Sequence, residues 1–330
     1  MTALVTSLAM AIAAPVPLDK KADAEFETKV APARAKAIKF LKDSQQPDGS
    51  WDGVVIKSLV DMDGGTTSLA VLGLLEAGAS TKDPAVVKAI DYLLALKPNK
   101  TYVVSLRTQV LARADAKKYA KEIQAGADWL LEKAIIRQGK LVGWSYPGNE
   151  IADNSNTHFA VMGMHAAAQA GAKVDAGIWR KIRDLYADTQ HRDGGWVYHN
   201  AGGDGPSHSM TVAALLSLAV AVKYDKQAKE PDAAFEKGMA ALLGDKLGKF
   251  GDGKSAACSW MTTAELGRAL GATEFKSGKL TKAWYREGTE KLLKEQQPDG
   301  SWKPSELGID KSYPVISTAC GLYLIGRPVK

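Results

Sequence analysis

Four acidic stretches in this chain stand directly ahead of apolar, small-residue segments. They are Asp61 and Asp63 in DMDGGTTS, Asp153 in DNSNTH, Asp204 in DGPSH and Asp252 in DGKSAAC. A soft or titratable group follows three of them: His158 five residues after Asp153, His208 four after Asp204, and Cys258 six after Asp252. Carboxylates and imidazoles drawn together can act as general acid and base, and with a thiolate they can ligate zinc. Glu150 with Asp153, opposite His158 and His208, would suit glycan chemistry, which uses paired carboxylates or a base with a charge neutraliser. A plainer use is open to the same residues, because Asp, Asn and Ser at a helix start cap free N–H groups and favour the dipole. Spacing alone does not choose among these uses.

The elements that carry these residues belong to a repeat. QQPDGSW occurs at 45–51 and again at 296–302, each time after an amphipathic stretch, AIKFLKDS or GTEKLLKE. Proline ends the helix and Asp-Gly makes the turn. Weaker copies are IIRQGKLVGWSY at 135–146 and ADTQHRDGGWVY at 187–198. Trp51 to Trp144 is 93 residues, Trp144 to Trp196 is 52 and Trp196 to Trp302 is 106. Taken as two, one and two steps, these spacings imply a period of about 50 residues and six repeats. The second and fifth are degenerate, at LALKPNKTY and LGKFGDG. Gln46, Gln138, Gln190 and Gln297 pair with Trp51, Trp144, Trp196 and Trp302 as the repeat's structural residues.

A second helix follows each turn, as in GTTSLAVLGLLEAGA and SHSMTVAALLSLAVA, and is richer in small and apolar residues than the first. Such helices are buried on most sides, whereas the charged first set, such as IWRKIRDLYADTQ, suits an outer layer. The terminal repeats are the best-matched pair, which favours a closed ring over an open solenoid with polar caps. An open superhelix is the alternative.

At 330 residues and 45% hydrophobic composition, the chain can bury a large core. Its +6 net charge comes from 43 basic and 37 acidic residues that are interspersed, which argues against nucleic-acid binding. Two cysteines, Cys258 and Cys320, do not make a disulfide framework. Ala3 to Ala14 is an uncharged, mostly apolar run, too short to span a bilayer. With Ala11-Ile12-Ala13 ahead of Ala14-Pro15, residues 1–13 are expected to be a signal peptide and 14–31 a linker, with the folded domain over 32–330. Export to the periplasm or outside follows; without a signal the protein is cytoplasmic. No other segment looks membrane-spanning.

Gln followed by Pro-Asp-Gly-Ser-Trp or Asp-Gly-Gly-Trp after an amphipathic helix resembles the QW repeat of the squalene cyclase and protein prenyltransferase superfamily. The resemblance covers about residues 32–327 and implies an all-α (α/α)6 toroid of six inner and six outer helices. It also implies that the mouth and cavity lie at the start of the inner helices, and that an apolar, isoprenoid-like small molecule is the ligand. A protein or glycan partner at the rim is the alternative.

The family's zinc site uses an Asp, a nearby Cys and a later His. Asp252 and Cys258 echo its first half at a longer spacing, and His208 could contribute a nitrogen. The family's cyclases protonate an alkene with an Asp-x-Asp-Asp-Thr acid. Asp61 and Asp63 match it in part, with Gly64 in place of the third Asp. A cation would need aromatic walls, for which the inner helices offer Phe159, Trp260, Tyr313 and Tyr323. No cofactor is required by these motifs, and the Gly-Cys-Gly-Glu-Gln thioester signature is absent.

Overall fold

The computed structural model describes residues 20–52, 62–146, 148–200, 205–228, 232–244, 247, 256–304 and 314–326. Twelve α-helices are found among them, and they alternate in layer. The outer set is α1 (Lys20–Asp43), α3 (Pro84–Ala95), α5 (Ala120–Glu132), α7 (Ala176–Asp188), α9 (Ala233–Leu243) and α11 (Trp284–Glu295). The inner set is α2 (Gly65–Glu76), α4 (Thr101–Asp115), α6 (Asn154–Gln169), α8 (His208–Tyr224), α10 (Ala256–Leu270) and α12 (Pro314–Ile325). Two short antiparallel hairpins decorate the connections: β1 (Ile135–Arg137) with β2 (Lys140–Gly143), and β3 (Phe275–Ser277) with β4 (Leu280–Lys282).

Burial separates the layers. Outer α3 buries only Ala85, Val86, Ala89, Ile90 and Leu93, one stripe of an amphipathic helix. Inner α8 buries every residue from Thr211 to Ala221. Each inner helix touches its two inner neighbours, and α12 returns to α2, so the ring is closed. Small residues allow that closure: a Cβ on Gly73 of α2 would stand 2.7 Å from the Ala319 carbonyl oxygen of α12. The outer layer closes as well, with α1 against α11 and α12. Arg34 of α1 donates to the Ile325 carbonyl at 3.0 Å. The architecture is the (α/α)6 toroid that the resemblance implies, with the six helix pairs of the repeat count.

The toroid starts earlier than the 32–330 boundary. Residues 20–31, read from sequence as part of a linker, are the first half of α1. Pro32 lies inside this helix and costs about 3 kcal/mol there. Burial of Phe26 and Val30 offsets it, with Phe26 edge-on to Tyr285 of α11 at 6.3 Å. Residues 1–19, with the expected signal peptide, lie outside the described residues.

Gln190 and the four tryptophans act where the sequence reading places them, but at the two doubled glutamines the bridging residue is the first of the pair. Gln45, not Gln46, sends its amide Nε2 to the Gly49 carbonyl at 2.9 Å and to the Ala85 carbonyl of α3 at 2.8 Å. Gln190 does the same to Gly194 and to Ala234 of α9, both at 2.8 Å. Gln296, not Gln297, bridges Gly300 at 3.0 Å and Ala33 of α1 at 2.8 Å. Gln46 contributes only its backbone to the turn, and the Gln297 side chain bonds the Glu295 carbonyl. Gln138 stands at the tip of the β1–β2 hairpin with φ of 49°, so it makes no such bridge. The Asp-Gly turns need glycine twice over. Gly49 has φ of 89°, and a Cβ there would stand 2.6 Å from the Lys88 carbonyl oxygen of α3.

Candidate functional site

Each tryptophan of the repeat fixes the start of an inner helix. The Trp144 indole donates to the Leu130 carbonyl of α5 at 2.7 Å, and its backbone N–H donates to Thr157 Oγ1 at 3.0 Å. Thr157 Oγ1 in turn donates to the Asp153 carbonyl at 2.7 Å. Trp51 with Thr67, Trp196 with Thr211 and Trp302 with Thr318 repeat the backbone-to-threonine bond at 2.9, 3.2 and 3.1 Å. A buried indole and a buried threonine thus pin the amino-terminal turn of four inner helices.

At the start of α6 this places Asp153 as the N-cap. Its Oδ1 accepts from Asn156 N at 2.7 Å and its Oδ2 from Asn156 Nδ2 at 2.8 Å. The residue is only 3% exposed. Burial raises its carboxyl pKa above the ordinary value, against the two Asn156 bonds and the charge of His199. Aromatic side chains crowd the same rim. Tyr102 of α4 lies 4.3 Å from Phe159 of α6 and stacks on Tyr146 at 5.9 Å, centroid to centroid. The Tyr102 hydroxyl pairs with Ser155 Oγ. Tyr198 comes in from the following connection, whose carbonyl accepts from Asn154 N at 2.9 Å. Burial, then the Asp153 carboxylate, pushes the Tyr198 phenol up, and the same two causes act on Tyr146.

The other expected residues scatter. His158, one turn into α6, is buried; burial pushes it down to about 4, so it is a neutral imidazole, and its Nδ1 has no partner. His208 opens α8 with only 8% exposure and is also pushed down to about 4, by burial and then by Lys282. Asp63 is exposed in the turn before α2. The acid serving that turn is Asp52, which sequence reasoning passed over. It accepts from Gly64 N at 2.6 Å and Thr67 N at 3.1 Å, and burial raises its pKa. Its signal is its place, directly after Trp51. Glu150 sits on the surface against Arg137 at 3.7 Å, so it does not pair with Asp153 as a glycan site would require. Trp260 faces away from the axis: a Cβ on Gly288 of outer α11 would stand 2.5 Å from its ring, which makes it filling between the layers. Asp61, Asp204, Asp252, Tyr313 and the Cys258 side chain lie outside the described residues. Among the described residues no three of His, Cys, Asp and Glu converge as a metal site.

A concave feature lies at the opposite end of the inner ring. A cavity of about 570 Å³ opens between the carboxy-terminal turns of the inner helices. On one side Glu76, Arg113, Glu265, Arg268 and Tyr323 form a network. Arg268 Nε stands 3.3 Å from Glu76, and Arg113 stands 3.8 Å from Glu76 and 3.9 Å from Glu265. Tyr323 donates its hydroxyl to Glu265 at 3.0 Å and receives a bond from Arg113. Burial raises the Glu265 carboxyl, against the pull of Arg113. Both guanidinium groups lie 5.1 Å from the Tyr323 ring centroid.

No protein-family model matches the chain, and no curated protein matches it in sequence. Its fold is shared with solved structures. The type II terpene cyclase MstE from Scytonema superposes with TM-score 0.57 at 12% identity, over 91% of this chain and 98% of that one. A point variant of the same cyclase in complex with its substrate, geranylgeranyl dihydroxybenzoate, gives TM-score 0.58 at 12% identity, over 91% and 97%. A glycosidase variant gives TM-score 0.52 at 14% identity, over 94% and 98%. The chain has the toroid fold of these proteins.

Proposed function

We propose that this toroid binds an apolar, isoprenoid-like ligand at its amino-terminal rim and that Asp153 is the acid that acts on it. One observation carries the reading: a buried carboxyl with a raised pKa stands among Tyr102, Tyr146, Phe159 and Tyr198. Burial that raises a carboxyl's pKa favours its acid form; a carboxylic acid can deliver its proton to an alkene, and aromatic faces stabilise the cation that results. Ring closure by C–C bond formation and loss of one proton from the final cation returns an isomer of the substrate. The cyclase that shares the fold binds a prenylated aromatic acid, which supports the substrate class. Residues 1–13 would direct the protein out of the cytoplasm as a signal peptide.

Asp153→Asn tests this, because Asn caps helices as well as Asp does and so separates the cap from the proton. With geranylgeranyl dihydroxybenzoate as probe, the wild type should yield a product of unchanged mass and altered retention. The variant should bind the probe, keep its thermal stability and form no product. Equal turnover by Asp153→Asn would remove Asp153 from the chemistry. Failure of the wild type to bind the probe would leave a ring that presents its rim to a protein or glycan.

A further inference from the structure

Two tyrosines of the Asp153 rim occupy the same place in successive repeats. Tyr146 stands two residues after Trp144, in GWSY, and Tyr198 stands two after Trp196, in GWVY. In the terminal repeats Trp51 is followed by Asp-Gly and Trp302 by Lys-Pro. This tyrosine therefore belongs to the two repeats that meet at Asp153.

Each is held by the first residue of the inner helix that precedes its tryptophan. Thr101 opens α4 after Lys100, and its Oγ1 donates to the Ser145 carbonyl at 2.8 Å. Asn154 opens α6 after the Asp153 cap, and its Nδ2 donates to the Val197 carbonyl at 2.8 Å. Ser145 and Val197 lie between tryptophan and tyrosine, so the two bonds are equivalent. Asn154 holds its connection further. Its Nδ2 also donates to Asn200 Oδ1 at 2.9 Å, and its backbone N–H donates to the Tyr198 carbonyl at 2.9 Å.

Capping does not explain Asn154, because the cap is Asp153 and asparagine is a poor helix former. Both Nδ2 protons are engaged, which fixes the orientation of the amide. Its Oδ1 is left without a partner among the described residues, in a side chain that is buried. An unpaired buried oxygen destabilises the fold, and here it accompanies two donors turned toward the connection. The two phenols so placed have different partners. Tyr198 has the Asp153 carboxyl as a hydrogen-bond partner. Tyr146 has Asn156, the residue that bonds both Asp153 oxygens.

We propose that Asn154 and Thr101 are positioning residues of the rim, which set Tyr198 against Asp153 and Tyr146 against Asn156 by tethering the connection after each tryptophan. The consequence for the chemistry rests on the reading of Asp153 as the acid. The Tyr198 hydroxyl then donates to the carboxylate left when Asp153 transfers its proton, and that bond strengthens as the charge forms. The phenol keeps its own proton, since burial and the neighbouring carboxylate hold its pKa above the ordinary value. Tyr102, Tyr146 and His199 are the other titratable groups beside it.

NMR of the full chain, with tyrosine isotope-labelled at Cζ, reads each phenol at about pH 10.5, where an ordinary tyrosine is mostly ionised. Tyr146→Phe and Tyr198→Phe assign the two signals. Asn154→Ala should raise the ionised fraction of Tyr198 and leave Tyr146 unchanged, and Thr101→Val should do the reverse. Asn200→Ala removes one of the two side-chain bonds. It should move Tyr198 the same way by less, and it decides the matter if Asn154→Ala does not fold. Tethers that only stabilise the fold would lower the melting temperature and move both phenols together or neither, and either result would overturn the proposal. With geranylgeranyl dihydroxybenzoate, Tyr198→Phe and Asn154→Ala should lower kcat about tenfold, the contribution of one charge-assisted hydrogen bond, with KM little changed. Equal kcat in Tyr198→Phe and wild type would remove the phenol from the reaction. No turnover by the wild type would remove the acid reading and with it the task given to Tyr198, while the phenol readout would still decide the tethers.

Discussion

At the amino-terminal rim Asp153 gives both carboxylate oxygens to Asn156 of its own helix. At the carboxy-terminal well Glu76 and Glu265 reach arginines on other helices, and at longer range. The rim is therefore assembled locally: cap, threonine and tryptophan lie within a few turns of one another, and burial of the indole holds them. The well is assembled globally. Its charges come from separate inner helices, and it persists only while the ring is closed. Local placement gives a carboxyl a fixed position and a shifted pKa, whereas global placement gives a field whose strength depends on every member.

The largest effect should come from cutting the local assembly. Trp144 is fully buried, and Trp144→Ala removes both its packing against the core and its bond to Leu130. Such truncations cost about 3–5 kcal/mol, measurable as a shift of the urea midpoint. If the tryptophan only fills space, Trp144→Phe should recover most of that loss. If the indole bond also sets the rim, the phenylalanine variant should remain less stable by about 1 kcal/mol and should bind the geranylgeranyl probe more weakly.

The next effect compares the two ends through pH. His158 at the rim and His165 at the well are both pushed down to about 4 in the fold, against about 6.5 in the unfolded chain. The unfolded state binds protons first as pH falls, so the stability these neutral rings contribute is complete above 6.5. It is lost as pH falls from 6.5 to about 4. A shift of that size is worth at most about 3 kcal/mol for His158, which lies wholly in the interior. Urea unfolding at pH 7 and pH 5 should show the loss, and His158→Asn should flatten it. Asp153 and Glu265 act with the opposite sign. Their raised values stabilise the fold at low pH, and that stability is lost as pH rises from the ordinary carboxyl range through their raised values. A profile that rises continuously toward acid would mean that the carboxyls outweigh the histidines.

The contrast between the ends also marks what was legible in the sequence. The six repeats are legible in the tryptophan spacing, because local turns with strict geometry leave local motifs; the matched terminal repeats favour closure, and the toroid is what the family resemblance implies. The doubled glutamines hid the register. Gln45-Gln46 and Gln296-Gln297 each offer two candidates, and only the single Gln190 shows that the bridging residue stands six before the tryptophan. Asp153 is legible as a cap because Asp at a helix start is a capping signal. The well is not legible, since its charges come from four inner helices and only Glu265 and Arg268 share one. Its signal was fainter: lone charged residues near the ends of otherwise apolar inner helices, as in GTTSLAVLGLLE and HSMTVAALLSLAVAVKY. Trp260 lies on an inner helix, which has two buried faces, and sequence does not say which one an aromatic ring occupies.

The smallest effect separates the two histidines by cause. Burial alone, opposed only by the Ala213 carbonyl, lowers His158. His165 is lowered by burial and also by the charges of Lys223 and Arg113. Removing one of those charges with Lys223→Gln should move the His165 pKa upward, toward its ordinary value, because a cation no longer opposes protonation. His158, near the other end of the same helix, should not move. Added salt should act on the wild type in the same direction, since Lys223 is exposed and its field is screened over about 10 Å at 0.1 M. Proton-detected titration of the two imidazoles in one sample reads both outcomes. Equal shifts at both rings would mean that the positive field extends through the whole ring, and the rim and the well would then have to be treated as one electrostatic unit.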